Sequence, residues 1–417
     1  MLELEAALER ILAAIPPPQS ERVPLTEADG RVLAESIRSP LDLPPFDNSS
    51  MDGYAVRAAD VVGANDQTPV RLRLAGKVAA GQNFPDQVNA GSCVRIFTGS
   101  PIPAGTDAVV MQEDTRAESV STEVSFLTSA EPGENVRYRG EDVRQGQALV
   151  EKGRRLGPGQ LSLLAAVGIA EVSVGRRPIV GLLATGSELR EPGLNSAGQG
   201  MEAAIDAARP VALQVGQIYE SNRLGLAALA GRAGAIAKIL PLVPDHPELT
   251  REALDTALRQ CNFLVTSGGV SVGEMDFVKQ AFKAVGGELD FWKVSIKPGR
   301  PFVFGRRGEQ FLFGLPGNPV SALVTLLLLV RPVLLRWQGA SELALSAYPG
   351  RLAEPLVNDG SRRHFMRVKV DHHGGVYSAG MQASHVLSSL AAANGLVDVP
   401  PETTWPAGKA VSVLRWD

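Results

Sequence analysis

The sequence contains little cysteine and few aromatic residues. Only two of its 417 residues are cysteine, Cys93 and Cys261, and Phe, Trp and Tyr together make up 5% of the chain. Two cysteines so far apart, without a CxxC pattern, argue against a disulfide framework. They are typical of a reducing compartment, so we expect a cytoplasmic protein.

The chain also lacks an excess of either charge and a long uninterrupted apolar run. Lys and Arg number 41 and Asp and Glu number 45, for a net charge of −4. This balance argues against a protein held on nucleic acid by a basic surface. The N-terminus MLELEAALERIL predicts an acidic amphipathic helix rather than a signal peptide. The apolar stretch 320–335 contains Thr325, Arg331 and Pro332. It falls short of the roughly 18 apolar residues of a membrane span and predicts a buried helix.

Several common catalytic motifs are missing as well. Neither Gly76-Lys77 nor Gly408-Lys409 is followed by Ser or Thr in the frame of a phosphate-binding P-loop, and there is no GxGxxG or HExxH pattern. Standard NTPases, NAD enzymes and zinc proteases are therefore disfavoured. Glycine and proline, in contrast, number 43 and 29, which predicts a folded protein with many sharp turns.

Changes of pattern along the chain predict four domains. Residues 1–45 and 138–172 carry helical segments and would form one discontinuous N-terminal helical domain. Between them, residues 46–137 show short β-rich runs typical of an inserted β module. Residues 173–335 alternate buried strands with helices, and residues 336–417 return to short β-like runs. We therefore expect a multidomain α/β protein with a doubly wound, mostly parallel sheet in its third domain and a C-terminal β domain.

Three loops of the predicted α/β domain each follow a buried strand. They have the sequences TGSEL, TSGGVSVGEMDF and GLPGNPVS. Ligands bind at the carboxyl ends of strands in open α/β sheets, so we expect the three loops to form one binding site. The candidate binding residues in these loops are Thr185, Gly186, Glu188, Ser267, Gly268, Gly269, Ser271, Gly273, Asp276, Pro316, Gly317, Asn318 and Pro319.

The second of these loops has the composition of an anion cradle. Its glycines allow several backbone N–H groups to point at one place, and a helix predicted to begin near Asp276 adds its positive end. Glu274 and Asp276 would repel an anion, whereas Mg²⁺ between carboxylate and phosphate removes this conflict. The alternative is a tight strand–helix turn with Asp276 as its cap. In the first loop Glu188 is expected in the first turn of a helix, where glutamate is also common for dipole reasons.

Basic residues that follow the second loop predict an oxyanion site. Lys293 and Lys297 share one face if FWKVSIKPGRP is extended, and Arg300 is next to them. An exposed basic strand face is the alternative. Farther along the chain, SRRHFMR and QAS add Arg367 and Ser384 as weaker candidates. Asp245, followed by Glu248 in PDHPEL, predicts a capping box with a structural role.

The first half of the chain supplies three further polar candidates. They are Asp52 in PPFDNSSMDGYAV, Thr98 in RIFTGSPIP and Asp142 in VRYRGEDVRQG. Asp-Gly and Asp-Asn-Ser are ordinary turn formers, so the composition of the first segment favours a structural role for Asp52. The segments of Thr98 and Asp142 are each weak signals when taken alone.

In combination these strings resemble the molybdopterin molybdenumtransferase family, whose eukaryotic relatives include the catalytic domain of gephyrin. The similarity runs in order through nearly the whole chain. It implies an enzyme that inserts molybdate into the dithiolene of adenylylated molybdopterin and releases AMP, in the last common step of molybdenum cofactor biosynthesis, with Mg²⁺. It also implies an elongated homodimer with active sites between subunits, and other cofactor biosynthesis proteins as further partners, but no nucleic acid and no membrane.

The resemblance also assigns roles to the candidates. Glu188 and Asp276 would hold Mg²⁺ and the nucleotide phosphates. Catalytic residues of the neighbouring subunit would reach that site, namely Asp52, Thr98 and Asp142. The molybdate pocket would be formed by Lys297, Arg367 and Ser384, with Lys293.

The sequence departs from the family pattern at several positions. Ser187 replaces the aspartate of TGDEL, Arg300 replaces the second lysine of KPGKP, and Ala383 replaces the glycine of a QGS-type turn. The stretch 191–215 is longer than usual. Two other functions remain open: a molybdopterin adenylyltransferase, which shares the α/β fold, and a gephyrin-like scaffold that binds a peptide and has lost catalysis.

Overall fold

The computed structural model describes residues 1–117, 122–192, 213–269 and 277–416. The helices in these ranges are α1 (Leu4–Ala14), α2 (Pro158–Ala166), α3 (Asn222–Arg232), α4 (Pro247–Gln260), α5 (Val278–Ala284), α6 (Pro319–Thr325), α7 (Arg331–Trp337) and α8 (Leu387–Ala392). The strands are β1 (Ser20–Pro24), β2 (Ile37–Arg38), β3 (Asn48–Ser49), β4 (Gly53–Val56), β5 (Val70–Val78), β6 (Ser92–Ile96), β7 (Ala108–Met111), β8 (Thr115–Ala117), β9 (Glu123–Phe126), β10 (Val136–Arg137), β11 (Ala148–Val150), β12 (Glu171–Gly175), β13 (Ile179–Ala184), β14 (Leu189–Arg190), β15 (Ile218–Tyr219), β16 (Ile236–Ile239), β17 (Phe263–Ser267), β18 (Glu288–Trp292), β19 (Ile296–Lys297), β20 (Val303–Arg307), β21 (Gln310–Leu315), β22 (Ser346–Leu352), β23 (Leu356–Asn358), β24 (Arg363–Val370), β25 (Gly375–Ser378), β26 (Gly395–Val399), β27 (Thr403–Trp405) and β28 (Ala410–Arg415).

Two separated stretches of sequence pack together near the N-terminal end of the chain. β1 pairs with β12, and β2 pairs with β11, both antiparallel. Val23, Leu33, Leu164 and Val174 share one buried core, so residues from before and after the β insert are packed against each other. Helix α1 contacts α7 and joins the core of the α/β sheet.

The inserted β module is built on a six-stranded sheet in the order β7-β4-β6-β5-β9-β8. β5 and β6 are parallel and the other pairs are antiparallel. In β5 the residues of VRLRLAGKV alternate, with Leu72 buried between exposed arginines. Leu72, Val56, Cys93 and Phe126 form the core of the module, since alternation places one face of each strand inward.

The α/β part is a doubly wound sheet in the order β16-β13-β17-β21-β20-β18. The first four strands are parallel; β20 is antiparallel to β21, and β18 is antiparallel to β20. Alternate residues enter different cores: Phe263 and Val265 pack with α3 and α6, and Leu264 packs with α4 and α5. Both faces are therefore covered, which explains why β13, β17 and β21 are almost wholly apolar. The predicted fold class is confirmed.

A continuous helix from Pro319 to Trp337 follows this sheet and is formed by α6, a π-helical segment Leu326–Val330, and α7. Pro332 lacks the N–H group that would otherwise bond four residues back, and the π-helical turn lies just before it. The helix has 19 residues and a mean hydropathy of 1.8, and 72% of its apolar window is buried. By length and composition alone this helix is long enough to cross a membrane, whereas the sequence predicted an apolar stretch too short to do so. Its burial confirms the prediction of a core helix.

The C-terminal part is a barrel of antiparallel and parallel strands. The sheet order is β19-β24-β25-β22-β28-β26, and β24 also pairs with β26, which closes the sheet. Met366, Val368, Val397 and Val413 fill its interior. The edge strand β19 comes from the α/β part and pairs in parallel with β24, so this strand joins the two parts.

Candidate active site

A cavity of 710 Å³ lies at the carboxyl ends of β13, β17 and β21. These three strands are neighbours in the sheet, as the sequence predicted. Residues of all three loops line the cavity, together with the residues after β15 and β16 and part of the C-terminal loop. The lining residues are Ala184, Thr185, Gly186, Glu188, Leu189, Ile218, Tyr219, Glu220, Ser221, Asn222, Asp245, Ser267, Gly268, Gly269, Gly317, Asn318, Pro319, His385 and Leu387.

Backbone hydrogen bonds connect the loops across the ends of the strands. The Thr185 N–H donates to the Ser267 carbonyl at 3.2 Å, and the Gly268 N–H donates to the Leu315 carbonyl at 3.2 Å. The parallel ladders of the sheet therefore continue into the loops. The floor of the cavity therefore consists of main-chain atoms, which are held by backbone hydrogen bonds like those between the strands.

Two glycines of the second loop are required by its geometry. Gly268 and Gly269 have φ angles of +91° and +66°, which L side chains rarely adopt. A Cβ on Gly268 would lie 2.8 Å from the Thr185 carbonyl oxygen, and one on Gly269 would lie 2.6 Å from Cγ2 of Val278. Any side chain at these positions would displace the neighbouring loop or helix. These contacts explain the predicted glycine requirement.

The acidic side of the cavity is formed by Glu188 and Asp245. The Glu188 carboxylate folds back over Gly186, where a Cβ would lie 2.6 Å from Oε2. Asp245 accepts a hydrogen bond from the Ser187 N–H at 3.1 Å, and its own N–H donates to Ser187 Oγ at 2.9 Å. The sequence had predicted a capping box for Asp245, and this is wrong. His246 is the residue at the N-cap of α4, and its imidazole accepts from the Leu249 N–H.

The structure also corrects the predicted surroundings of Glu188. Glu188 does not start a helix, because the chain continues into the short strand β14, which pairs in parallel with β15. Pro192 lies three residues after Leu189, and the residue before a proline avoids the helical region. The pairing with β15 and the nearby proline both favour an extended backbone after Glu188. Glu188 itself lies on the turn between β13 and β14, at the rim of the cavity.

These carboxylates fit a Mg²⁺ site completed by a ligand. Mg²⁺ commonly takes one or two carboxylates and fills its remaining positions with water and substrate phosphate oxygens. Among the residues that the structure describes there is no group of three or more His, Cys, Asp or Glu that would hold a metal alone. Glu188 and Asp245 supply hard oxygen donors next to a glycine-lined wall, which suits a cation bound together with a phosphate.

A buried arginine organises the C-terminal loop beside the cavity. Arg367 is 0% exposed; its Nε donates to Ser389 Oγ at 3.0 Å, and its Nη2 donates to the Met381 and Ala383 carbonyls. Its Nη1 is buried and has no hydrogen-bond partner among the described residues. Burial lowers the pKa of this guanidinium. The Ser384 carbonyl next in the chain accepts from the Val320 N–H at 3.2 Å and so fixes the loop against α6.

Lys297 lies in the same basic region, whereas Lys293 is placed differently from the prediction. β19 brings Lys297 opposite His364 on β24. Burial, and then the charges of Lys297 and Arg367, lower the pKa of His364 to about 4. Lys293 has a φ of +74°, so the two lysines do not lie on one extended run. Its N–H donates to the Phe302 carbonyl across a bend that the alternation argument had not included.

The candidates from the first half of the chain lie away from this cavity. The Asp52 carboxylate accepts from the Thr98 N–H at 2.9 Å and from the Thr98 hydroxyl at 2.8 Å. These two bonds, followed by the charge of Arg95, lower the pKa of Asp52. The Asp142 N–H donates to the Leu43 carbonyl at 3.0 Å. Asp52, Thr98 and Asp142 are all exposed.

Comparison with known proteins assigns the chain to a family. Residues 2–168 match the model of the MoeA N-terminal region (domains I and II), residues 181–336 match a "Probable molybdopterin binding domain", and residues 349–416 match the MoeA C-terminal region (domain IV). A molybdopterin molybdenumtransferase of Haemophilus influenzae is 39% identical over 99% of this chain and 98% of that protein. The chain belongs to the molybdopterin molybdenumtransferase family.

Further members of the molybdopterin molybdenumtransferase family support the same assignment. Molybdopterin molybdenumtransferase 2 of Mycobacterium tuberculosis is 39% identical over 95% of this chain and 94% of that protein. The crystal structure of the molybdopterin biosynthesis MoeA protein from Pyrococcus horikoshii OT3 is 30% identical, covers 100% of both chains and has a TM-score of 0.79. The resemblance found in the sequence is therefore confirmed.

Some of the predicted site residues lie outside the part of the chain that the structure describes. Other residues line the cavity although the sequence did not assign them to it. Ser271, Gly273 and Asp276 fall in 270–276, and most of the 191–215 stretch falls in 193–212. Asp245 and Asn222 line the cavity but were not assigned to it. Asp245 could have been found from its place just beyond β16, because β16 is a parallel strand of the same sheet.

Proposed function

We propose that this chain inserts molybdate into the dithiolene of adenylylated molybdopterin and releases AMP. The observation that carries the proposal is the convergence of three strand-end loops on one cavity that also holds the Glu188 and Asp245 carboxylates. A phosphorylated pterin nucleotide needs N–H donors for its phosphates and a cation for its charge. The same cavity offers sites for both.

The nucleotide phosphates would occupy the glycine-lined wall. Gly268 and Gly269 leave the main chain uncovered there, and the helix that begins at Pro319 directs its positive end toward the cavity. Backbone donors on rigid strands bind a phosphoanhydride without reorganising. Ser267, Gly317 and Asn318 would contact the ligand from the same edge, as would Ser271 and Gly273 of the second loop.

Mg²⁺ would be held by Glu188 and Asp245, together with Asp276 of the second loop and the phosphate oxygens. When bound, such an ion neutralises charge on the phosphoanhydride and favours departure of AMP. The chain's own residues would hold the Glu188 and Asp245 carboxylates in place at the rim of the cavity. Ser187 does this for Asp245 through its N–H and its hydroxyl.

Molybdate would bind in the basic region next to the C-terminal loop. Arg367 has no carboxylate among its hydrogen-bond partners in the described chain, and its unpartnered Nη1 is a donor for an oxyanion. Lys297 adds a second positive charge, and Ser384 lies in the loop that Arg367 holds. Lys293, at a bend four residues before Lys297, is the less direct candidate.

A homodimer would complete the site. Asp52, Thr98 and Asp142 are exposed in one protomer and do not line its cavity among the described residues. We propose that they reach the cavity of the neighbouring subunit. Both cysteines are buried free thiols, in keeping with a cytoplasmic enzyme, and other cofactor biosynthesis proteins would supply its substrate.

The decisive experiment follows AMP release from adenylylated molybdopterin with Mg²⁺, with and without molybdate. Molybdate-dependent release supports the proposal. Formation of the adenylate from molybdopterin and ATP would instead identify an adenylyltransferase, and the absence of both reactions would favour a scaffold.

Subunit complementation tests the composite site. At a Mg²⁺ concentration that just saturates the native chain, Glu188→Gln and Asp52→Asn dimers should each have little activity, whereas mixed dimers should regain activity because one of their two sites is intact. Mixed dimers without activity would contradict a site shared between subunits. Mixing Glu188→Gln with Asp245→Asn is the control, since both residues line the same cavity and no intact site results.

A further inference from the structure

One asparagine at the cavity joins two of its loops. The Asn222 side-chain Nδ2 donates to Ser267 Oγ at 2.7 Å and to the Gly317 carbonyl at 2.7 Å. Both amide hydrogens are used, one on the last residue of β17 and one on the loop after β21. A single planar group therefore bridges the ends of β17 and β21, in addition to the Gly268–Leu315 backbone bond and the bond from Ser267 Oγ to the Pro316 carbonyl at 3.4 Å.

Asn222 is itself fixed by a carboxylate two residues earlier. Glu220 Oε1 accepts from the Asn222 N–H at 2.7 Å and from the Arg223 N–H at 3.0 Å, and Glu220 Oε2 accepts from Arg223 Nε at 2.9 Å. Glu220 thus binds the free N–H groups at the start of α3. Asn222, the first residue of α3, is therefore held in one orientation.

The Glu220–Arg223 pair is buried and extensively hydrogen-bonded. Glu220 is 3% exposed and Arg223 is 2% exposed. Arg223 also donates to Glu191 Oε1 at 2.7 Å and to the Leu240 carbonyl, which lie beyond β14 and β16. Apolar side chains often stabilise a core as well as a buried ion pair does, so stability alone does not account for this one. Its bonds fix the backbone from which Asn222 reaches the cavity.

We propose that Asn222 is a positioning residue that sets the spacing of the loops cradling the nucleotide, with Glu220 and Arg223 as its support. This inference rests on the proposed function, because the cradle is defined by that ligand. Only a side chain with two N–H donors at this length makes both contacts. Aspartate has the same shape but no donor, and it would place negative charge against the Gly317 carbonyl.

The test compares Asn222→Asp and Asn222→Ala with the native chain. We measure kcat and KM for AMP release and the Kd of adenylylated molybdopterin. We expect KM and Kd to rise about tenfold with kcat changed less than about twofold, since a loosened cradle weakens ground state and transition state alike. The matched control is Asn262→Ala. Asn262 accepts from the Ile179 N–H at 2.8 Å at the opposite end of the same strands, so this variant should lower the melting temperature but leave KM unchanged.

Ser267→Ala is the second variant, because it removes one of the two contacts and keeps Asn222. Ser267 is itself proposed to contact the ligand, so the double variant is compared with both single variants. The two increases in Kd should combine to less than their product, because the Asn222–Ser267 hydrogen bond is lost in both single variants. Unchanged Kd in the Asn222 variants, with native activity intact, overturns the inference alone. A native chain that binds the nucleotide without molybdate-dependent turnover refutes the proposed function, while a weaker Kd in the variants still supports the positioning role. A native chain that does not bind the nucleotide overturns both.

Discussion

Ser187 and Asp245 are bonded to each other in both directions at the rim of the cavity. The Ser187 N–H donates to the Asp245 carboxylate at 3.1 Å, and the Asp245 N–H donates to the Ser187 hydroxyl at 2.9 Å. This pair joins the loop after β13 to the segment after β16. It also shows what the serine at this position of TGSEL does, where the related motif TGDEL has an aspartate.

We predict that Ser187→Ala weakens the rim whereas Ser187→Asp does not. Alanine leaves the Asp245 N–H without its acceptor, which costs about 1 kcal/mol of unfolding free energy. Aspartate keeps an acceptor oxygen at that position. In the alanine variant, denaturant unfolding should show a lower free energy of unfolding, and the KM for adenylylated molybdopterin should rise several-fold. Equal losses in the two variants would contradict this role.

Removing a carboxylate from the rim should change the Mg²⁺ requirement. Glu188→Gln and Asp245→Asn each remove one anionic oxygen ligand while preserving shape. The Mg²⁺ concentration for half-maximal AMP release should therefore rise about tenfold or more. Asp290→Asn is the control, because Asp290 pairs with Arg10 in another region of the chain. If the Mg²⁺ titration curves of the rim variants coincide with the native curve, these carboxylates do not hold the ion.

Substituting Arg367 should affect both stability and molybdate use. Arg367→Met leaves the Ser389 hydroxyl and the Met381 and Ala383 carbonyls without their buried donor, which costs about 2–4 kcal/mol. Arg367→Lys keeps the charge but not the fork of donors. Both variants should require about tenfold more molybdate for half-maximal AMP release.

The control for Arg367 is Arg351→Met in the same barrel. Arg351 is exposed and donates to the Gly408 carbonyl. This variant should keep the native molybdate dependence. Native molybdate dependence in Arg367→Lys would remove Arg367 from the oxyanion site.

The buried His364 predicts a loss of stability on mild acidification. Burial and the positive charges of Lys297 and Arg367 lower the pKa of His364 to about 4, from an ordinary value of 6.5. Between these pH values the unfolded chain binds a proton that the folded chain does not. The contribution of His364 is thus present above pH 6.5 and lost as the pH falls toward 4, by roughly 1.5 kcal/mol between pH 6.5 and pH 5.

Thermal unfolding of His364→Gln as a function of pH checks this prediction. The variant should show a smaller decrease in melting temperature between pH 6.5 and pH 5 than the native chain. His373→Gln, at an exposed turn between β24 and β25, should keep the native pH dependence. A native slope in His364→Gln would show that other groups cause the acid sensitivity.

The sequence predicted the parts of the site that depend on strand order. Apolar strands followed by glycine-rich loops indicate a parallel sheet, and the carboxyl ends of such strands lie at one edge. The approach of Gly268 to Thr185 follows from this rule. The predicted domain boundaries and catalytic roles remain predictions.

The sequence did not predict features that depend on contacts between distant segments. Glu188 was expected in the first turn of a helix because TGSEL resembles a shorter form of the second loop, which precedes a predicted helix. The pairing of Leu189 and Arg190 with Ile218 and Tyr219 forms a strand instead. Asp245 resembled a cap because the local spacing fits one, but Ser187, 58 residues away in sequence, binds it instead. Local propensity is weak where a tertiary hydrogen bond competes with it.

The parallel pairing of β19 with β24 has a consequence for movement within the enzyme. Ile296 and Lys297 are covalently part of the α/β sheet domain but form the outer strand of the barrel. A hinge between the two would have to break this ladder, so the barrel cannot swing away while Lys297 stays behind. Any displacement of the barrel that keeps this ladder therefore carries Ile296 and Lys297 with it.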